Sequence, residues 1–228
     1  MHSSVITFPG SNCDRDMDVA LRKFGFKNKM VWHNDVELPK SDVVVLPGGF
    51  SYGDYLRCGS MASKSKIMQS VINFAKDGGK VMGTCNGFQI LVESGLLPGV
   101  LLRNKYLEFI CKNIFVKVNN ADNSYFKGLK KNTLKLHIAH NEGNYFCSKE
   151  QLKEIADNNQ IALYYSDKNG DVDENCNPNG SIENIAGIFN KEKNVLGMMP
   201  HPERMIDPVL SGDDGSIFFE NLINNLKK

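Results

Sequence analysis

Short, dense apolar runs separated by amphipathic stretches fill the first hundred residues, and this alternation restricts the chain to folds built on a buried, mostly parallel sheet. The sharpest case is Val43-Val44-Val45-Leu46, enclosed between Asp42 and Pro47-Gly48-Gly49. A strand with no polar position has no face to give to water, so its sheet must be covered on both sides. Similar runs at Val5 to Phe8, Lys29 to His33 and Lys80 to Gly83 predict three further strands. Between them, Asp14 to Phe24 sets Met17, Ala20, Leu21 and Phe24 on one helical face and meets Gly25, where a C-terminal cap belongs. Ile67 to Ala75 repeats the design and stops at Gly78-Gly79.

After Leu97-Pro98-Gly99 the pattern changes. Phe109 to Val118 and Thr133 to His140 read as longer strands of antiparallel character. Ser148, followed three residues later by Gln151, predicts a capping-box helix through about Asn158. Strands resume at Ile161 to Tyr165, Ile185 to Phe189 and Val195 to Met199, and Ser216 to Leu226 closes the chain as an amphipathic helix. The polar stretch from Asp167 to Gly180 only superficially resembles a calcium loop, since Gly170 sits at the wrong offset and no Glu falls at the twelfth position. At 228 residues, a single α/β domain covering the whole chain is expected.

Charge and cysteine usage exclude several classes of function. With 27 Lys plus Arg against 26 Asp plus Glu, the chain has no basic field to attract nucleic acid or an anionic membrane. No apolar run approaches the roughly 20 residues that span a bilayer, and the N-terminus leads straight into a strand pattern, so a cytoplasmic protein is expected. Cysteines 13, 58, 85, 111, 147 and 176 form no CxxC pair and do not cluster with histidine in the sequence, which predicts neither disulfides nor a metal site. Without a phosphate loop or a G-x-G-x-x-G fingerprint, no ATP, dinucleotide or other cofactor is expected on this chain.

The strongest chemical signal is Gly83-Thr84-Cys85-Asn86-Gly87, a G-x-C-x-G elbow between a predicted strand and a predicted helix, Phe88 to Glu93. A turn this tight exposes the sulfur of Cys85 and places it at a helix N-terminus, whose dipole favours the thiolate. The backbone N–H of Asn86 then points at the carbonyl under attack, as half of an oxyanion hole. The other five cysteines lack this context and read as packing residues. A thiol nucleophile needs a base and an orienting group. Met199-Pro200-His201-Pro202-Glu203 offers both, with two prolines stiffening the backbone and Glu203 placed to fix the tautomer of His201. Gly48-Gly49 ends a strand with a backbone open to close approach, and Gly49 is the second oxyanion donor expected.

Taken together, these residues resemble the class I, triad-type glutamine amidotransferases, in which an elbow cysteine and a late His-Pro-Glu hydrolyse glutamine to glutamate and ammonia. The segments Pro47 to Arg57, Cys85-Asn86-Gly87-Phe88-Gln89, Ala139-His140-Asn141-Glu142-Gly143 and Pro200-His201-Pro202-Glu203-Arg204 resemble the branch that serves purine biosynthesis. Asn86 stands where other branches commonly carry a bulky residue. The resemblance implies a flavodoxin-like three-layer sandwich with a mostly parallel central sheet and an added antiparallel portion. It also implies Cys85 as nucleophile, His201 as acid and base, and Glu203 as its orienting carboxylate. Gln89, His140, Glu142 and Gly143 would bind the amino-acid end of glutamine. ATP, magnesium and formylglycinamide ribonucleotide would belong to a separate synthetase, with a small bridging subunit between the chains, and the Phe50 to Arg57 loop is a candidate for contacting that partner or gating the site. Two rival readings are a stress-type cysteine hydrolase or deglycase of flavodoxin-like fold and a catalytically silent binding module. The first lacks a late His-Pro-Glu, and the second would not need Cys85, His201 and Glu203 together.

Overall fold

The structure, a computed structural model, describes residues 1–119 and 122–227. The first half runs β1 (His2–Thr7), α1 (Asp14–Lys23), β2 (Lys27–Trp32), β3 (Val43–Leu46), α2 (Lys66–Lys76), β4 (Lys80–Thr84) and α3 (Asn86–Glu93). The second half follows with β5 (Val100–Leu102), β6 (Ile110–Val118), β7 (Thr133–His140), β8 (Asn144–Phe146), α4 (Lys149–Asp157), β9 (Ile161–Ser166), β10 (Ile185–Phe189), β11 (Val195–Met198) and α5 (Asp214–Leu226). Nine strands make one sheet in the order β2-β1-β3-β4-β11-β10-β9-β6-β7. From β2 to β11 neighbouring strands are parallel, and from β11 to β7 they are antiparallel.

Alternation along the strands divides the core into two layers, as a sheet covered on both faces requires. Val43 and Val45 pack on one side with Met17, Leu21, Phe218 and Phe219, beneath α1 and α5. Val44 and Leu46 face the other way, onto Ile67, Val71, Phe88 and Leu91 of α2 and α3. The three-layer α/β architecture expected from the apolar runs is therefore present. Among the described residues, no helix is long and apolar enough to cross a membrane.

Two features go beyond the sequence reading. β5 and β8 form a small separate antiparallel pair that was not predicted, because three residues are too few to show a period. The sequence places a strand at Val195 to Met199 without a partner, and β11 lies parallel to β4, with Gly197 opposite Gly83 and Met198 opposite Thr84. An apolar run does not reveal its neighbours. This pairing sets the end of β11 beside the end of β4, and the candidate site is built there.

Candidate active site

Cys85 joins β4 to α3 with φ 50° and ψ −108°, a backbone that a residue with a side chain keeps only when its surroundings impose it. Close approach explains the small neighbours: a Cβ added to Gly87 would lie 1.9 Å from the Leu46 carbonyl oxygen. The Cys85 N–H donates to the Met198 carbonyl at 2.8 Å, which locks the elbow onto β11. Cys85 as a residue is 6% exposed, and its Sγ donates to the Ala139 carbonyl at 3.6 Å.

His201 lies three residues beyond the end of β11, and its N–H donates to the His137 carbonyl of β7 at 2.8 Å. Pro202 begins one turn of 3-10 helix, Pro202–Arg204, which folds Glu203 back onto the imidazole. Nδ1 of His201 lies 2.6 Å from Glu203 Oε1, with both side chains fully buried. The remaining ring nitrogen, Nε2, has no hydrogen-bond partner. Burial alone would lower the pKa of this imidazole. The charges of Glu203 and Cys85 outweigh it and push the value up to about 10, so an imidazolium is favoured at neutral pH.

Cys85 and His201 line one cavity of about 420 Å³ together with Gly49, Gln89, His140 and Glu142. Gly49 has φ +123°, and a Cβ there would meet the Asn12 nitrogen at 2.5 Å, so only glycine fits. Asn86 stands behind the cavity wall at the start of α3; its side chain accepts from Ser51 N–H at 3.1 Å and donates to Gln89 Oε1 at 2.9 Å. Gln89 is buried, not on an exposed helix face, and donates to the Glu142 carbonyl at 2.6 Å. Burial foremost, then His201, holds the His140 pKa down to about 3. This neutral ring has its Nε2 unpartnered. Gly143 lies against the His140 ring, and its N–H donates to Asn104 Oδ1 at 3.1 Å.

Several contributors escaped the sequence reading. Asn104 also contacts His140 Nδ1 at 3.0 Å and donates to the His140 carbonyl at 2.9 Å, so one amide organises the whole 140–143 segment. Asp54, Cys58, Arg103, Cys111 and Arg204 line the cavity as well. Although the cysteines do not cluster with histidine along the sequence, the fold brings one to the His201–Glu203 pair: ligand atoms of Cys13, His201 and Glu203 all lie within 4.8 Å of one another. That trio does not suit a cation, because Arg204 already points Nη2 at Cys13 Sγ from 2.9 Å. Burial, followed by Glu203, pushes the Cys13 thiol up to about 12, so it stays neutral. Reading Cys111 as a packing residue fails, since it is exposed. No spacing rule could have found these groups, because their partners are 26 to 191 residues away.

A family description, the CobB/CobQ-like glutamine amidotransferase domain, matches residues 1–212. The chain is 85% identical over 227 residues to a Pelagibacter ubique protein called phosphoribosylformylglycinamidine synthase subunit PurQ, and the match covers all of both chains. It is 47% identical to the Salinibacter ruber protein of the same name, over 97% of this chain and 95% of that one. Among solved structures it is similar to PurLQS from Thermotoga maritima, with a TM-score of 0.87 at 39% identity over 99% of this chain and 98% of that one. A glutamine amidotransferase from Thermotoga maritima shares the fold at a TM-score of 0.65 and 15% identity, over 100% of this chain and 99% of that one.

Proposed function

The chain belongs to the CobB/CobQ-like glutamine amidotransferase family, and from that premise we propose that it is the glutaminase subunit of a phosphoribosylformylglycinamidine synthase. It hydrolyses glutamine to glutamate and ammonia. A separate ATP-dependent synthetase then uses the ammonia to convert formylglycinamide ribonucleotide to formylglycinamidine ribonucleotide. The observation that carries the chemistry is the buried His201–Glu203 pair at 2.6 Å, whose free Nε2 shares a cavity with the strained elbow thiol of Cys85.

In this reading Cys85 attacks the carboxamide carbon of glutamine as a thiolate paired with the His201 imidazolium. The N–H groups of Gly49 and Asn86 receive the developing oxyanion. His201 gives its Nε2 proton to the departing ammonia, then takes one from the water that cleaves the glutamyl thioester. Glu203 holds the ring in position and stabilises its charge throughout. Gln89, His140, Glu142 and Gly143 form or support the end of the cavity that takes the amino-acid part of the substrate. Thiolate and imidazole suffice for amide hydrolysis, so no cofactor or metal is assigned to this chain, and ATP with magnesium belongs to the synthetase.

The partners are that synthetase and a small bridging subunit, in keeping with the name PurLQS given to the solved relative. Free ammonia in neutral water is largely protonated and loses its nucleophilicity, which favours direct transfer between bound chains. The Phe50 to Arg57 loop is the candidate contact. Arg57 anchors one end on Glu93 at 2.6 Å, and Tyr55 and Leu56 at its tip are 69% and 79% exposed. The six free cysteines suit a reducing cytoplasm. The deciding experiment is release of ammonia and glutamate from glutamine by the chain alone and mixed with its synthetase and nucleotide substrates. Release that rises on mixing and vanishes in Cys85→Ala is expected. A folded chain that releases neither product in either condition would sink the reading in favour of a different cysteine hydrolase or a silent module.

A further inference from the structure

On the wall of the cavity just described, but outside the Cys85, His201 and Glu203 set, lies a second thiol with an imidazole and an amide behind it. In the β6 to β7 ladder Asn113 is paired with His137 and Cys111 with Ala139. Residues two apart on a strand share a face, so all four side chains stand on one side of the sheet. Asn113 Oδ1 lies 3.0 Å from His137 Nδ1, and His137 Nε2 lies 3.5 Å from Cys111 Sγ. An amide oxygen only accepts, so the ring proton sits on Nδ1 and the Nε2 lone pair faces the thiol. Burial foremost, then His201 and Arg204, holds the His137 pKa below its usual value, which keeps the ring neutral and able to take a proton. His137 serves His201 only through its backbone carbonyl. Unlike Cys85, Cys111 is exposed, and it lies on the wall of the same cavity with Phe109 and Arg103.

The geometry points to Cys111 as a second nucleophilic thiol that takes up low-molecular-weight disulfides and, once modified, closes the glutamine pocket. The Cys111 sulfur attacks one sulfur of the disulfide, forming a new S–S bond as the old one breaks. The thiol proton passes to His137 Nε2 and then to the departing thiolate. Cys111 is oxidised, the disulfide is reduced to one thiol, and no other reactant is consumed. A tripeptide-sized adduct on this wall obstructs the path of glutamine to Cys85. The obstruction rests on the glutaminase reading; the thiol chemistry does not.

The test exposes the full chain to oxidised glutathione at pH 7 and maps adducts over time by peptide mass spectrometry. Cys111 is expected to be modified before Cys85. His137→Ala and Asn113→Ala should each slow the Cys111 adduct, the former about tenfold, since the attacking thiol then loses its positioned proton acceptor. Glutamine turnover with the synthetase should fall in step with the Cys111 adduct, return with dithiothreitol, and resist oxidised glutathione in Cys111→Ser. Modification of Cys85 first, or an unchanged Cys111 rate in both neighbour variants, overturns the proposal. Full turnover by a chain modified at Cys111 overturns the obstruction. A chain inactive toward glutamine from the outset counts against the glutaminase reading, and the adduct map still decides the thiol chemistry.

Discussion

The thiol of Cys85 and the imidazole of His201 are held differently, and this separates the effects of replacing each. The elbow demands small neighbours and a positive φ, and neither demand involves the sulfur. Cys85→Ala should therefore abolish glutamine turnover while moving the thermal midpoint by no more than about 3 °C, measured by differential scanning calorimetry. His201 depends on a carboxylate that is fully buried with it. Glu203→Gln should lower kcat by about 10²- to 10⁴-fold, read by steady-state kinetics. The same substitution has a stability signature. A histidine raised from 6.5 to about 10 on folding contributes stability that is full below pH 6.5 and lost as pH rises toward 10. The gap in unfolding free energy between wild type and Glu203→Gln should narrow across that window in urea titrations. A gap independent of pH would mean that His201 is not charged in the folded protein.

Secondary-structure elements were legible wherever a period or a stop signal ran long enough. Val43–Leu46, Thr133–His140 and Ile185–Phe189 fall where the sequence places them, since each is a dense apolar or alternating run with clear ends. The helix after Ser148 was announced by its cap, and Ser148 Oγ does accept from Gln151 N–H at 3.1 Å. Losing that bond in Ser148→Ala should cost about 1 kcal/mol, seen as a lower urea midpoint with glutamine turnover intact. β5 and β8 are short pieces defined by each other, so neither had a signal of its own. The elbow behaves as an element in its own right. Gly87→Ala forces α3 off Leu46 and should cost about 1–3 kcal/mol with loss of turnover, because strand and helix can no longer close to the same distance.

Across the whole molecule, the decisive event is the insertion of β11 between β4 and β10. It brings His201 to Cys85 across a sequence separation of 116 residues and joins the parallel and antiparallel halves in one sheet. At this scale belongs the proposed role of the exposed tip of the Phe50 to Arg57 loop as a contact for the synthetase. Tyr55→Ser with Leu56→Ser should weaken the stimulation of glutamine turnover by the synthetase and leave the turnover of the chain alone unchanged, measured by titrating one chain with the other. By itself, the sequence determined the α/β class, the elbow around Cys85 and the His-Pro-Glu turn, because each is written in neighbouring residues whose backbone preferences and sterics act locally. Only the tertiary structure decided that β11 lies parallel to β4, that Asn104 supports His140, that Cys13 and Arg204 lie against the His201–Glu203 pair, and that Cys111 faces His137. Those contacts depend on strand order and register, which are set by how the whole apolar surface is buried and not by any one segment.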